Sequence, residues 1–199
     1  MVQARQLLVA TDIFGSTPQL QRALSSLQQT MPDIELRISI AQPASCQSEP
    51  AVFANDQLAY QAFVLHGGLE HYQRQLASML EQHQPDLLLG FSAGAAALWC
   101  ALGHADSSAP QAKALLCYGG QIRQHYLVAP RIPVTCLWSD ETHFDVVALQ
   151  RQLSQHSNLQ QQHWPQQHGF INPYSAGFAA KAATEFWRRC QAWLAGAAF

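Results

Sequence analysis

The chain has 199 residues, 48% of them hydrophobic and 12% charged, with a formal net charge of −2. That length fits one domain able to bury a core without staples, and the scattered lysines and arginines leave no electrostatic footprint for nucleic acid or an anionic membrane. No apolar stretch approaches bilayer length, and the apolar run Leu7 to Ala10 is too short for a signal-peptide core, so a cytoplasmic protein is expected. The five cysteines, odd in number and widely spaced, read as reduced thiols. None of the nine histidines pairs with another at the helical spacing of a metalloprotease, so neither a metal nor a cofactor is expected.

In chain order, Gln6 to Ala10 predicts a first strand that feeds Thr11-Asp12-Ile13-Phe14-Gly15. Ser16 or Thr17 as N-cap, with Pro18 in the first turn, starts a helix to about Gln29. Ile34 to Ile40 alternates and is rich in β-branched residues, the mark of a second strand. Gln42 to Val52 reads as a loop. Tyr60 and Phe63, at helical spacing, favour a short helix over Asp56 to His66, and Gly67-Gly68 separates it from a helix over Leu69 to Gln82.

Asp86-Leu87-Leu88-Leu89-Gly90-Phe91-Ser92-Ala93-Gly94 then carries a buried strand into a small-residue helix. Between them lies G-x-S-x-G. In so tight a strand-to-helix turn the central residue takes a strained backbone, and positions two before and two after it have no room for a Cβ. Gly90 and Gly94 meet that need, and Ser92 is lifted to the helix N-terminus, where backbone N–H groups can hold an oxyanion. Buried strands follow at Lys113 to Tyr118 and Ile132 to Trp138, a weaker one at Asn158 to His163, and a closing helix at about Ser175 to Leu194.

This alternation predicts an α/β fold: a parallel sheet of about six strands with helices on both faces. In such a sheet functional groups gather beyond the carboxyl ends of strands. Asp12 and Ile13 stand after the first strand, Ser92 after the third, Asp140 after the fifth and His168 after the sixth. A serine needs a base within hydrogen-bond reach, and His168, followed by Gly169, fills that role. Asp140 is the favoured partner of the imidazole; Glu141 lies one residue further round the turn, and Asp145 reads as the cap of a following helix. His143 shares a loop with Asp140 and reads as pocket lining or surface. Ala93, after the nucleophile, and Ile13, after the first strand, are the expected oxyanion N–H donors. Asp12 is either an acidic pocket residue or a turn former, and Phe14, Trp99, Trp138, Phe144, Phe170 and Tyr174 are candidates to wall an acyl pocket.

Assembled in this order, the motifs resemble the dienelactone hydrolase family of the α/β-hydrolase superfamily. The pieces are Asp12-Ile13-Phe14-Gly15, Gly90-Phe91-Ser92-Ala93-Gly94, Cys117-Tyr118-Gly119-Gly120, Asp140, and His168-Gly169-Phe170 with Asn172-Pro173 and an aromatic C-terminal helix. The resemblance implies an α/β-hydrolase fold, the triad Ser92, Asp140 and His168, and backbone donors at Ile13 and Ala93; as a departure from the family, the first strand matches the superfamily's third, so a shortened N-terminal edge is expected. The family's namesakes carry a cysteine where this chain has Ser92, an arginine where it has Asn172, and a glutamate where it has Asp12. The serine favours ordinary ester chemistry, so the expected activity is hydrolysis of a small-molecule carboxylic ester or thioester. The competing reading is a chain of the same fold that keeps the pocket and binds a ligand or partner without catalysis. The aromatic C-terminus, ending in Phe199, leaves room for a homodimer.

Overall fold

A computed structural model of the chain describes residues 3–47, 53–103 and 112–199, so part of the loop expected over Gln42 to Val52 lies outside the described residues. Among the described residues six strands form one sheet: β1 (Gln3–Ala10), β2 (Ile34–Ala41), β3 (Leu87–Phe91), β4 (Lys113–Cys117), β5 (Val134–Asp140) and β6 (Leu159–Gln167). Their order is β2-β1-β3-β4-β5-β6, and every neighbouring pair is parallel. The chain therefore steps outward from β1 to β2 and returns to β3, opening a crevice between the carboxyl ends of β1 and β3, where ligands of open α/β sheets bind.

The central strands β3, β4 and β5 are apolar on both faces because helices cover both. Leu8, Leu88, Leu116, Cys136 and Trp138 point to one side, against α2 (Asp56–Leu65), α3 (Gly68–His83), α4 (Ala93–Gly103) and α5 (Val146–Leu153). Leu7, Leu89, Leu115, Cys117 and Leu137 point to the other, against α1 (Pro18–Thr30) and α6 (Ala180–Leu194). Helix α1 begins as its sequence dictates: the Leu20 N–H donates to Thr17 Oγ1, and Pro18, with no N–H to leave unpaired, takes the first turn. Asp145 caps α5, accepting from the Ala148 N–H at 3.0 Å. The five cysteines are free and buried.

Three boundaries differ from expectation. Both β5 and β6 run further toward the site than their apolar content indicates, to Asp140 and Gln167. Strand β6 continues past Pro165 because it is an edge strand with a register irregularity: Trp138 pairs with His163 but Asp140 with Gln167. A proline, lacking the ladder N–H, is tolerated at such a bulge. The closing helix starts at Ala180, not near Ser175, since Ser175 to Ala179 are held in turns by the loop after His168. Phe199 folds back onto the sheet, 6% exposed and stacked on Trp164, which removes the exposed aromatic terminus as ground for a dimer.

Candidate active site

The elbow between β3 and α4 forms as its glycines require. Ser92 has φ +49°, a left-handed conformation that costs an L-residue on the order of 1–3 kcal/mol and persists only where the surroundings enforce it. The surroundings are tight. A Cβ on Gly94 would come within 2.3 Å of the Ala10 carbonyl oxygen, and one on Gly90 within 2.8 Å of Ala95 Cα. The Ser92 N–H donates to the Cys117 carbonyl at 2.9 Å, fastening the turn to β4.

His168 arrives from the other end of the sheet, on the turn after β6. Its Nε2 lies 2.7 Å from Ser92 Oγ, and its Nδ1 lies 2.7 Å from Glu141 Oε1. With Nδ1–H donating to the carboxylate, Nε2 is left to accept the serine proton. The imidazole packs on Tyr118 in an edge-to-face arrangement, ring centroids 5.1 Å apart. Ser175 and Asp56 steady the turn: Asp56 Oδ1 accepts from Ser175 Oγ at 2.8 Å and Oδ2 from the Ala176 N–H at 3.0 Å. Nothing in the sequence marks Asp56 for this task, because its partners lie more than a hundred residues away.

The carboxylate beside His168 is Glu141, not Asp140. Strand alternation explains the difference. Strand β5 persists through Asp140, so Asp140 shares the side of Trp138 and meets His163 across the ladder, at 2.8 Å from Nε2, with its side chain 57% exposed. Glu141 falls on the side of Leu137 and Ser139, where Tyr118 and His168 lie; its side chain is 8% exposed and accepts a further bond from Ser139 Oγ at 2.7 Å. The signal that favours Glu141 is parity counted from the buried Leu137, and it is invisible when the strand is ended at Trp138.

Ile13 and Ala93 both line the cleft around Ser92. Ala93 opens α4, so its N–H has no acceptor within the helix. Ile13 is brought there by the β1–β3 crevice and by Asp12, whose Oδ1 accepts from the Phe14 N–H at 2.9 Å and whose Oδ2 accepts from Asn172 Nδ2 at 2.7 Å. Asp12 is thus a turn former that ties the loop after β1 to the loop after His168. Burial pushes its carboxyl up to about 6, against the lowering effect of both hydrogen bonds.

The cleft measures about 600 Å³. Tyr60, Phe144 and His143 line it, with Gln121 and Arg123 from the 3₁₀ turn Gly120–Gln124; the Arg123 guanidinium sits 5.0 Å over the Phe144 ring. Of the aromatics expected as acyl-pocket walls, only Phe144 lines the cleft. Phe170 is fully buried between Tyr118 and Trp164, and Phe14 packs on Tyr174. Trp99 and Trp138 are core residues whose indole N–H groups donate to the His125 carbonyl and to Gln161 Oε1. Among the described residues no group of three or more His, Cys, Asp or Glu side chains is placed to hold a metal, and no helix is long and apolar enough to cross a membrane.

No protein-family model matches the chain. Among curated proteins it is similar to an uncharacterised protein, YczH, of Bacillus subtilis (strain 168), 29% identical over 138 residues that cover 66% of each chain, just under two thirds of that relative. Among solved structures it is similar to a dienelactone hydrolase-like promiscuous phosphotriesterase from metagenomic libraries, with a TM-score of 0.65, 17% identity, and coverage of 98% of this chain and 87% of that one. It is likewise similar to a dienelactone hydrolase from Anabaena variabilis, with a TM-score of 0.60, 16% identity, and coverage of 96% and 85%. At such identities the likeness shows the α/β-hydrolase fold alone.

Proposed function

We propose that the chain is a serine hydrolase that cleaves a small carboxylic ester or thioester through an acyl-enzyme on Ser92. The observation that carries this reading is the unbroken relay of two 2.7 Å contacts, Ser92 Oγ to His168 Nε2 and His168 Nδ1 to Glu141 Oε1. Both contacts lie within the reach that general-base activation needs. A serine hydroxyl is a weak nucleophile at neutral pH, so such a relay is what separates a reactive serine from an ordinary turn residue.

In the proposed reaction Ser92 Oγ forms a bond to the substrate carbonyl carbon while its proton passes to His168 Nε2. Glu141 holds the tautomer and stabilises the imidazolium. The carbonyl oxygen, now an oxyanion, takes hydrogen bonds from the Ile13 and Ala93 N–H groups, an arrangement that supplies roughly 3–4 kcal/mol per donor in related chemistry. The carbon–oxygen or carbon–sulfur bond to the leaving group then breaks as Nε2 returns the proton to it. Water attacks the acyl-enzyme by the same route in reverse, releasing the acid and restoring Ser92.

The dienelactone hydrolase and esterase names carried by structures of like fold support an ester substrate, as does a cleft large enough for a small molecule. The test is labelling with a fluorophosphonate probe together with turnover of p-nitrophenyl esters of increasing acyl length. Wild-type protein is expected to be labelled on Ser92 and to turn over the shorter esters; Ser92→Ala is expected to lose both, with kcat reduced by at least about 10⁴-fold. An unlabelled, folded wild-type protein that still binds small ligands in the cleft would instead favour a binding protein of the same fold.

A further inference from the structure

The two loops that frame the cleft are anchored to different parts of the fold. The loop after β1 is fastened on the β2 side: the Thr11 N–H donates to the Ala41 carbonyl at 3.0 Å, the Tyr72 hydroxyl reaches the Ala41 and Thr11 carbonyls at 2.8 and 3.2 Å, and the Cys46 thiol donates to the Ile13 carbonyl at 3.4 Å. The loop after β6 is fastened to α2 through the Asp56 carboxylate. One bond crosses between residues 160 apart in sequence: Asn172 Nδ2 donates to Asp12 Oδ2 at 2.7 Å. The Phe14 and Tyr174 rings meet beside it, 6.3 Å apart, without the directionality of a hydrogen bond.

Each end of the crossing bond adjoins a group the acyl transfer needs. Asp12 opens a turn closed by the Gly15 N–H, which donates to the Asp12 carbonyl at 3.1 Å, so Ile13 holds the second position, whose N–H the turn does not use. Asn172 closes a second turn, its N–H donating at 2.9 Å to the carbonyl of Gly169, the residue after His168. The carboxylate at position 12 is informative. An asparagine there would accept from the Phe14 N–H as well, without the burial that pushes the Asp12 carboxyl up to about 6. What an amide lacks is a second oxygen. Asn172 spends its own Oδ1 on the Tyr174 N–H at 3.0 Å, so its Nδ2 meets residue 12 and needs an acceptor there. The carboxylate therefore serves the crossing bond, not the turn alone.

We propose that the Asp12–Asn172 bond is a clamp that fixes the Ile13 N–H relative to His168, which makes Asp12 and Asn172 positioning residues for acyl transfer. The inference rests on the roles proposed for Ser92, His168 and Ile13. A misplacement of about 1 Å costs on the order of 10²-fold in rate, so loosening the clamp lowers kcat and leaves ground-state binding in the cleft intact. The test is turnover of p-nitrophenyl acetate by wild type, Asp12→Asn, Asn172→Ala and the exchanged pair Asp12→Asn with Asn172→Asp, with a melt of each and inhibition by a trifluoromethyl ketone, which adds to the serine and forms an oxyanion. Both single variants should lose about 10–100-fold in kcat with KM within about twofold, and bind the ketone more weakly by a like factor. Asp12→Asn should do so while melting no lower than wild type, because it removes a buried carboxylate. In the exchanged pair the amide at position 12 accepts from Phe14 and donates to the carboxylate at position 172, whose second oxygen accepts from Tyr174; all three bonds return, and kcat should recover to within about fivefold of wild type. Single variants with wild-type kcat, a loss carried by KM, or an exchanged pair no better than the single variants would overturn the clamp and leave the Ser92 reading standing; Asn172→Ala decides this even if Asp12→Asn does not fold. A wild type that hydrolyses no ester and takes no fluorophosphonate label would overturn both.

Discussion

The turn after β3 and the turn after β5 each deliver one side chain to the hydrogen-bonded relay through His168, and they do so by different physics. At Ser92 the backbone itself is the constraint. Gly90 and Gly94 face backbone atoms that leave no room for a side chain, so a five-residue pattern suffices to define the geometry. At Asp140 and Glu141 two adjacent carboxylates compete, and the choice is made by which face of the pleat each one meets. A steric requirement is written locally, whereas a parity depends on where a strand ends.

The largest expected effect breaks the comparison at its centre. Glu141→Gln should lower kcat on short esters by roughly 10³–10⁴-fold with KM little changed, as loss of the orienting carboxylate does in serine triads. A stopped assay of both variants decides it, since an equal loss in Asp140→Asn alone would return the acid role to Asp140. Next in size is Gly94→Ala. Its Cβ would meet the Ala10 and Thr11 carbonyl oxygens at 2.3 and 2.4 Å, so α4 must move off β1. The expected cost exceeds about 3 kcal/mol, read as a fall in Tm of roughly 10 °C by calorimetry.

Asp12 sharpens the same contrast through pH. Its carboxyl is raised from 3.8 to about 6 in the folded chain, so below pH 3.8 both folded and unfolded states hold the proton. As pH rises through that interval the unfolded state releases it first, and stability is lost until the folded group has also ionised. The loss attributable to Asp12 amounts to about 3 kcal/mol. Denaturant unfolding of wild type and Asp12→Asn across pH 4 to 7 should show this decline in the wild type alone, and parallel curves would remove Asp12 as its source. The smallest effect belongs to Asp140→Asn. An exposed pair with His163 contributes about 0–1 kcal/mol, so stability should change by less than that and kcat by under about threefold.

The fold was legible because its determinants are periodic or local: continuous apolar strands, the Thr17 cap with Pro18, and the glycine elbow. That Ser92, His168, Ile13 and Ala93 would gather at one cleft was legible too, since each sits at the carboxyl end of a strand where topology collects functional groups. The pairing of His168 with Glu141 was not, because Pro165 and the glutamine-rich β6 hide how far the last two strands extend. Nor were the Asp56 brace or the burial of Phe170 and Phe199, which arise from groups far apart in sequence. Short-range sterics and periodicity determine backbone course from sequence alone; which side chains meet is decided when helices and strands from distant parts of the chain pack, because only then are pleat parity and burial defined.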